Sequence, residues 1–265
     1  MPLMSKKRII GKCALCGQLC ALTYEHIPPK MAFNTEPAKQ YLGTEFIGDS
    51  ERLPWDMNGL RYDNRQQGSG KYSLCGTCNN NTGSWYADSY NQFAYAAAAM
   101  LCDPSANGAN TVTMKNLYPL RIIKQICSMF CSVNAGFHQF DEIRSFVLDK
   151  ERRYLDPRQY RISMYFTRSA YLKQLGMTTV GNIETGLFCN VSEITAAPFG
   201  FLFYPDASKV NDDSCIDITF FSSFGYDETS DIEFPIIEKE VNSWLPADFR
   251  SRLQIDTKWN ESQSE

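Results

Sequence analysis

Residues 13–30, CALCGQLCALTYEHIPPK, and residues 73–83, SLCGTCNNNTG, decide the fold of the N-terminal part of the chain. Each stretch holds two cysteines at C-x2-C spacing, and the four residues are Cys13, Cys16, Cys75 and Cys78. Two such pairs can supply the four thiolates that zinc prefers in a tetrahedral site. We therefore predict one structural Zn²⁺ ion at these cysteines. Four protein ligands leave that ion no open position for catalysis.

Two other interpretations of the cysteines are weaker. The four could be unrelated buried residues, but the repeated spacing argues against this. Cys20 could replace one ligand, but its C-x3-C spacing from Cys16 is less suitable, so we assign Cys20 to core packing.

Composition favours a globular protein of the cytoplasm. The 265 residues are 43% hydrophobic and 21% charged, and they include no apolar run long enough for a membrane span. We expect no membrane association. The N-terminal stretch lacks the apolar core of a secretion signal, so the ten cysteines indicate metal binding in a reducing compartment rather than disulfides.

The stretch LTYEHIPPK predicts a strand that ends in an acid–histidine pair, because the prolines of Pro28–Pro29 stop regular pairing. A histidine in this position is more often packed or surface-exposed than catalytic. An imidazole that is neutral at physiological pH can nevertheless take a proton from water. His26, with Glu25 before it, is therefore a candidate catalytic residue.

The order of these elements resembles the HNH endonucleases, also called the His-Me finger or ββα-metal family. A cysteine knuckle, a strand ending in EHIPPK, and a second knuckle running directly into CNNNTG and a helix occur in the family's order. The resemblance covers roughly residues 10 to 100 and is closest to the branch stapled by a four-cysteine zinc.

The resemblance implies specific roles for three residues. His26 takes the place of the general base, and Glu25 and Asn79 take the places of ligands to a catalytic Mg²⁺ or Mn²⁺ ion. Carboxylate and amide oxygens suit such a hard cation, which can stabilise the charge that develops during phosphodiester hydrolysis.

The chain departs from the family pattern in several places. Glu25 stands where Asp or His is usual, and Thr82 stands where many members have Lys. The family's middle asparagine, which holds the loop carrying the histidine, has no clear counterpart, with Asn58 and Asn64 as weak candidates.

Three basic residues between His26 and the second knuckle are candidate phosphate ligands: Arg61, Arg65 and Lys71. A solvated loop explains them equally well. Residues 1–100 carry 10 Lys and Arg against 8 Asp and Glu, whereas the rest of the chain is acidic. This balance is compatible with a phosphate-bearing ligand at the N-terminal part.

We predict an α+β protein in two parts. Residues 1–102 form the zinc-stapled ββα-metal module, residues 112–258 form a larger α+β domain with two helices and an antiparallel sheet, and residues 259–265 form a polar tail. The break is placed at CDPSANGANT, residues 102–111, because Pro, Gly and Asn replace periodic apolar residues there.

The leading functional interpretation is a metal-dependent HNH endonuclease whose partner is nucleic acid, DNA rather than RNA. Family analogy suggests phage defence, restriction or a mobile element. The second region would bind substrate, form a homodimer or contact a partner protein. The alternative is a non-catalytic zinc module that scaffolds a nucleic-acid or protein contact. A catalytic second region is disfavoured because it has no phosphate-binding loop or nucleophile elbow.

Overall fold

A computed structural model describes residues 8–47, 52–104, 108–135, 140–182, 186–210 and 214–262. The chain is a mixed α+β protein with antiparallel sheets, as predicted. Within the described residues, no helix combines the length and hydropathy that crossing a bilayer requires. His138, the second histidine of the chain, lies outside the described residues.

Short elements build the N-terminal part. They are β1 (Ile10–Lys12), β2 (Leu19–His26), β3 (Ala38–Tyr41), α1 (Thr44–Ile47), β4 (Tyr62–Arg65), β5 (Gly70–Cys75), α2 (Gly76–Thr82) and α3 (Asp88–Cys102). Strands β1, β2 and β5 form one antiparallel sheet in that order, and β3 pairs with β4 in a hairpin. The cysteine pairs therefore lie at adjacent ends of the β2–β5 ladder.

Helices α2 and α3 are joined by a π-helical turn at Gly83–Ala87, so the chain is helical from Gly76 to Cys102. One apolar stripe of this helical segment faces the core, because five positions at helical spacing are buried: Tyr86, Tyr90, Phe93, Ala97 and Leu101.

The remaining elements form the second region. They are β6 (Thr111–Leu117), α4 (Pro119–Val133), α5 (Asp141–Leu148), β7 (Arg161–Phe166), β8 (Lys173–Asn182), β9 (Leu187–Ala196), β10 (Phe199–Tyr204), β11 (Ile216–Asp217), β12 (Ser230–Pro235) and α6 (Arg252–Ser262). A five-stranded antiparallel sheet has the order β11-β7-β10-β9-β8, and β12 pairs with β6. Helix α6 extends through much of the predicted polar tail.

Helix α4 is buried on all sides rather than amphipathic. Four polar residues of this helix are each at most 2% exposed: Lys124, Gln125, Ser128 and Ser132. The Lys124 ammonium nitrogen donates to the carbonyls of Phe146 and Asp149 at 2.6 Å, which closes the C-terminal end of α5. The spacing of apolar residues in this segment predicts a helix, but it does not show that both faces are covered.

One hydrophobic core connects the two predicted parts. Phe93 of α3 stacks on Phe199 of β10 with ring centroids 4.4 Å apart. The Tyr86 hydroxyl donates to the Val147 carbonyl at 2.7 Å, and Arg144 Nε donates to the Ala14 carbonyl at 2.9 Å. The predicted break at residues 102–111 thus lies between α3 and β6, while the core continues across it.

Candidate metal centre and active site

The four predicted cysteines come together in space. The sulfur atoms of Cys13, Cys16, Cys75 and Cys78 all lie within 4.8 Å of one another. Such a cluster matches the donor set of a structural zinc site, in which four thiolates surround one ion. Cys20 is outside the cluster and packs against the core, as expected.

Backbone N–H groups point at the cluster sulfurs. The amide of Cys78 donates to Cys75 Sγ at 3.4 Å, and the amide of Cys75 donates to Cys13 Sγ at 3.3 Å. Burial acts to raise the pKa of Cys75, but the hydrogen bond from the Cys78 amide and those with the neighbouring thiols lower it to about 7. Cys75 can therefore supply a thiolate near neutral pH, which metal binding requires.

Strand β2 carries the candidate catalytic residues on its two faces. Tyr24 and His26 share one face, since their rings meet edge-on with centroids 5.1 Å apart. Thr23 and Glu25 lie on the other face, by the alternation of side chains along a strand. The first turns of α2 cross that second face.

Asn79, on α2, contacts β2 directly. Its amide nitrogen donates to Thr23 Oγ1 at 3.0 Å and to the Tyr24 carbonyl at 3.2 Å. Because the nitrogen makes both bonds, the amide oxygen is the atom of this side chain that can accept a hydrogen bond or coordinate a cation. The four-cysteine cluster and these bonds thus hold α2 so that Asn79 lies on the strand that ends at Glu25 and His26.

A single hydrogen bond orients the His26 ring. His26 Nε2 lies 3.0 Å from the Gln67 carbonyl oxygen. A carbonyl only accepts, so Nε2 carries the proton in the neutral ring and Nδ1 holds the free lone pair. The tautomer set by this contact is the one in which Nδ1 can act as a base.

Glu25 is a buried acid without a protein partner. Its residue is 5% exposed, and no hydrogen bond or ion pair engages its side chain within the part of the chain that is described. Desolvation alone raises its pKa to about 7. A buried carboxyl normally has a charged or hydrogen-bonding partner, and the described residues offer the Glu25 carboxyl neither.

Asn34 is the residue that holds the loop after His26, and the sequence analysis missed it. Its amide nitrogen donates to the carbonyls of Pro28 at 2.6 Å and Ser69 at 2.8 Å. Its oxygen accepts from the Ser69 amide at 2.7 Å. This buried side chain ties the segment after His26 to the segment before β5, whereas Asn58 and Asn64 are exposed.

Two glycines allow the segment of residues 67–70 to pass close to Asn34 and to β2. A Cβ on Gly68, which has a φ of +89°, would lie 2.1 Å from the Asn34 carbonyl oxygen. A Cβ on Gly70 would lie 2.0 Å from the Glu25 carbonyl oxygen. The segment QGSG, residues 67–70, therefore needs glycine at both positions. In the sequence these glycines predict a loop, but they do not show what the loop contacts.

We expect Asn34→Ala to destabilise the protein by about 2–4 kcal/mol, because it leaves buried carbonyl and amide groups of Pro28 and Ser69 without partners. Urea unfolding measures this loss. Asn64→Ala, an exposed asparagine on β4, is the matched control and should change stability by less than about 0.5 kcal/mol. Equal effects of the two substitutions would show that Asn34 does not hold the loop.

We expect Glu25→Gln to stabilise the zinc-loaded protein in the absence of other divalent cations. The folded carboxyl has its pKa raised from 4.5 to about 7, so wild-type stability falls as pH rises through that interval. The increase in the free energy of unfolding, relative to the wild type, should grow from about 1 kcal/mol at pH 5.5 to about 3 kcal/mol at pH 8. Urea unfolding at the two pH values measures it, and the exposed Glu36→Gln should show no such growth.

The three candidate phosphate ligands lie in different surroundings. Arg61 pairs with Glu45 at 2.5 Å, and Arg65 contacts Asp63 at 3.3 Å and Gln40 at 2.6 Å. Both arginines would have to exchange these partners for a phosphate. Lys71 instead lies on β5 directly across from Glu25, and burial lowers its pKa. Of the three, Lys71 is adjacent to the candidate catalytic residues.

Comparisons with protein families, curated proteins and solved structures find no match to this chain.

Proposed function

We propose that the chain is a metal-dependent endonuclease of the HNH type that hydrolyses phosphodiester bonds of nucleic acid, with DNA preferred to RNA. One observation carries the proposal: a buried, unpartnered carboxyl, Glu25, precedes a histidine whose Nδ1 is left free to accept a proton. Both lie at the end of a strand that the four-cysteine cluster joins to a helix bearing Asn79.

The residues of the site have distinct roles in this proposal. His26 takes a proton from the attacking water at Nδ1, and the Gln67 carbonyl holds its ring. Glu25 and Asn79 offer oxygen ligands to a Mg²⁺ or Mn²⁺ ion, which would supply stabilisation of the phosphate charge when bound. The zinc at the cysteines serves the fold alone. Lys71, across from Glu25, adds positive charge for the phosphodiester backbone.

Cleavage assays test the proposal directly. Purified zinc-loaded protein is incubated with plasmid DNA, single-stranded DNA and single-stranded RNA, each with Mg²⁺, Mn²⁺ or no added divalent cation. We expect products only with added cation and most rapidly from DNA. No cleavage under any of these conditions would contradict the proposal and favour the alternative, a non-catalytic zinc module that scaffolds a nucleic-acid or protein contact.

Cation binding provides a test that does not depend on activity. Titration with Mn²⁺, followed by electron paramagnetic resonance, should find one bound ion per zinc-loaded chain. Glu25→Gln should weaken binding at least about tenfold because it removes the buried negative charge. Glu36→Gln, on an exposed acid outside the site, should bind as the wild type does. Unchanged binding in Glu25→Gln would remove the metal role of Glu25.

The cellular role follows from the family resemblance only. Phage defence, restriction or a mobile element would each suit such a nuclease, and a homodimer or a partner protein could act through residues 112–258. Cytoplasmic location remains an expectation from the cysteine content.

A further inference from the structure

A cleft of about 500 Å³ lies between the β3–β4 region and the edge of the large sheet. Its volume falls in the range of about 300–1,000 Å³ that small-molecule sites occupy. Aromatic side chains from separate segments form much of its lining, and they include Tyr41, Phe46, Tyr171 and Trp244. The Phe46 and Trp244 rings are tilted 30° from parallel with centroids 5.6 Å apart. Flat apolar walls of this kind suit a planar ring.

Gln174 lines the cleft, and its amide is held in one orientation. Its amide nitrogen donates to the Ile27 carbonyl at 2.8 Å and to Ser69 Oγ at 2.9 Å. Because the Ile27 carbonyl can only accept, the nitrogen and oxygen of the amide cannot exchange places. The amide oxygen is buried and has no hydrogen-bond partner among the described residues. A ligand with an N–H donor would satisfy it.

The charged residues of the cleft do not form a phosphate site. Among the residues that line it, the charged ones are Glu36, Lys39 and Lys173. Lys173 is held at 3.2 Å from the carboxylate of Glu193 in a fully buried pair, and Glu36 offsets Lys39. No cluster of cationic groups is left for a phosphate.

The cleft is directly linked to the candidate active site. Asn34 and Ser69 line it, and the same two residues hold the loop that follows His26. Gln174 bonds to Ile27, the residue immediately after His26. An occupant of the cleft would therefore lie beside the chain segment that presents the histidine.

We propose that this cleft binds an unstacked nucleobase, stacked against its aromatic wall and donating an exocyclic N–H to the Gln174 amide oxygen. The proposal rests on the proposed nuclease function, because the base would come from a single-stranded segment of the nuclease's substrate. A free nucleotide presents the same base chemistry and is the second source to be distinguished.

Fluorescence of 2-aminopurine tests the proposal, since this base carries an exocyclic amine and loses emission when it stacks. The full zinc-loaded chain is titrated, without Mg²⁺ or Mn²⁺, into a short single strand with one central 2-aminopurine and, separately, into 2-aminopurine nucleoside monophosphate. We expect quenching with the strand. Quenching with the monophosphate alone would assign the cleft to a free nucleotide.

Matched variants locate the binding. Trp244→Leu and Gln174→Met should each weaken binding about tenfold, in line with the contribution of one stacked base. Trp55→Leu replaces another half-buried tryptophan outside the lining and should leave the Kd within about twofold of wild type. No quenching in either titration, or equal Kd values for all three variants, would overturn the proposal.

The test separates this proposal from the nuclease proposal because no cleavage is measured. A chain that quenches 2-aminopurine through Trp244 but never cleaves nucleic acid would contradict the nuclease function alone. A chain that cleaves DNA but shows no cleft-dependent binding would contradict the base site alone.

Discussion

Replacement of His26 by alanine is expected to lower metal-dependent cleavage by about 10²–10⁴-fold, the usual contribution of a positioned general base. The substitution removes the Nδ1 lone pair and also frees the Gln67 carbonyl, which the ring now contacts at 3.0 Å. Initial rates on plasmid and on single-stranded DNA, at saturating Mg²⁺ and across pH 6–9, measure the loss. The variant should keep one Mn²⁺ per chain, because the cation ligands are elsewhere.

His138→Ala is the control, since His138 is the other histidine of the chain. It should cleave at the wild-type rate. If His26→Ala retained the wild-type rate as well, the water would have another base and the assignment of His26 would be wrong. If cleavage and Mn²⁺ binding were lost together, His26 would act on the cation site rather than on water.

Loss of the cysteine cluster is expected to have the largest effect on stability. Structural zinc contributes on the order of 10 kcal/mol to the folding of small zinc modules. Cys78→Ser replaces a buried ligand on α2, and the helix that carries Asn79 would then lose its attachment to β2. We expect the variant to contain less than one zinc per chain and to unfold at a lower urea concentration than the wild type.

Cys20→Ser is the matched control, because Cys20 lies on β2 and outside the cluster. It should retain one zinc per chain, measured by a chromogenic chelator after denaturation. Full zinc content and wild-type stability in Cys78→Ser would show that the four sulfurs do not form a zinc site.

The sequence predicted the parts of the site that depend on local spacing. The two C-x2-C pairs, the strand ending at His26 and the helix that follows the second pair are each encoded within about ten residues, and the structure contains these elements, with the helix beginning at Gly76. These elements could be predicted from one sequence because each depends only on residues that are close together along the chain. The catalytic roles of Glu25, His26 and Asn79 stay predictions.

The sequence could not predict contacts between distant segments. The side chain of Asn34 contacts Ser69, 35 residues away in the sequence, and that of Gln174 contacts Ile27, 147 residues away. Nothing in the neighbouring sequence distinguishes Asn34 or Gln174 from an ordinary surface residue. Strand β8 was also missed, because KQLGMTTVGN at a sheet edge lacks the alternating apolar pattern. Burial of both faces of α4 likewise depends on what packs around it.

The stacking of Phe93 on Phe199 limits how the chain can be divided into separate parts during evolution. A fragment ending near residue 104 would expose the faces of Tyr90 and Phe93 that now contact β10, and it would be prone to aggregate. Duplication or transfer of the cysteine-rich part alone would therefore carry a penalty in solubility. The two parts are expected to evolve as a single cooperative unit, with compensating substitutions on the two sides of the aromatic contact.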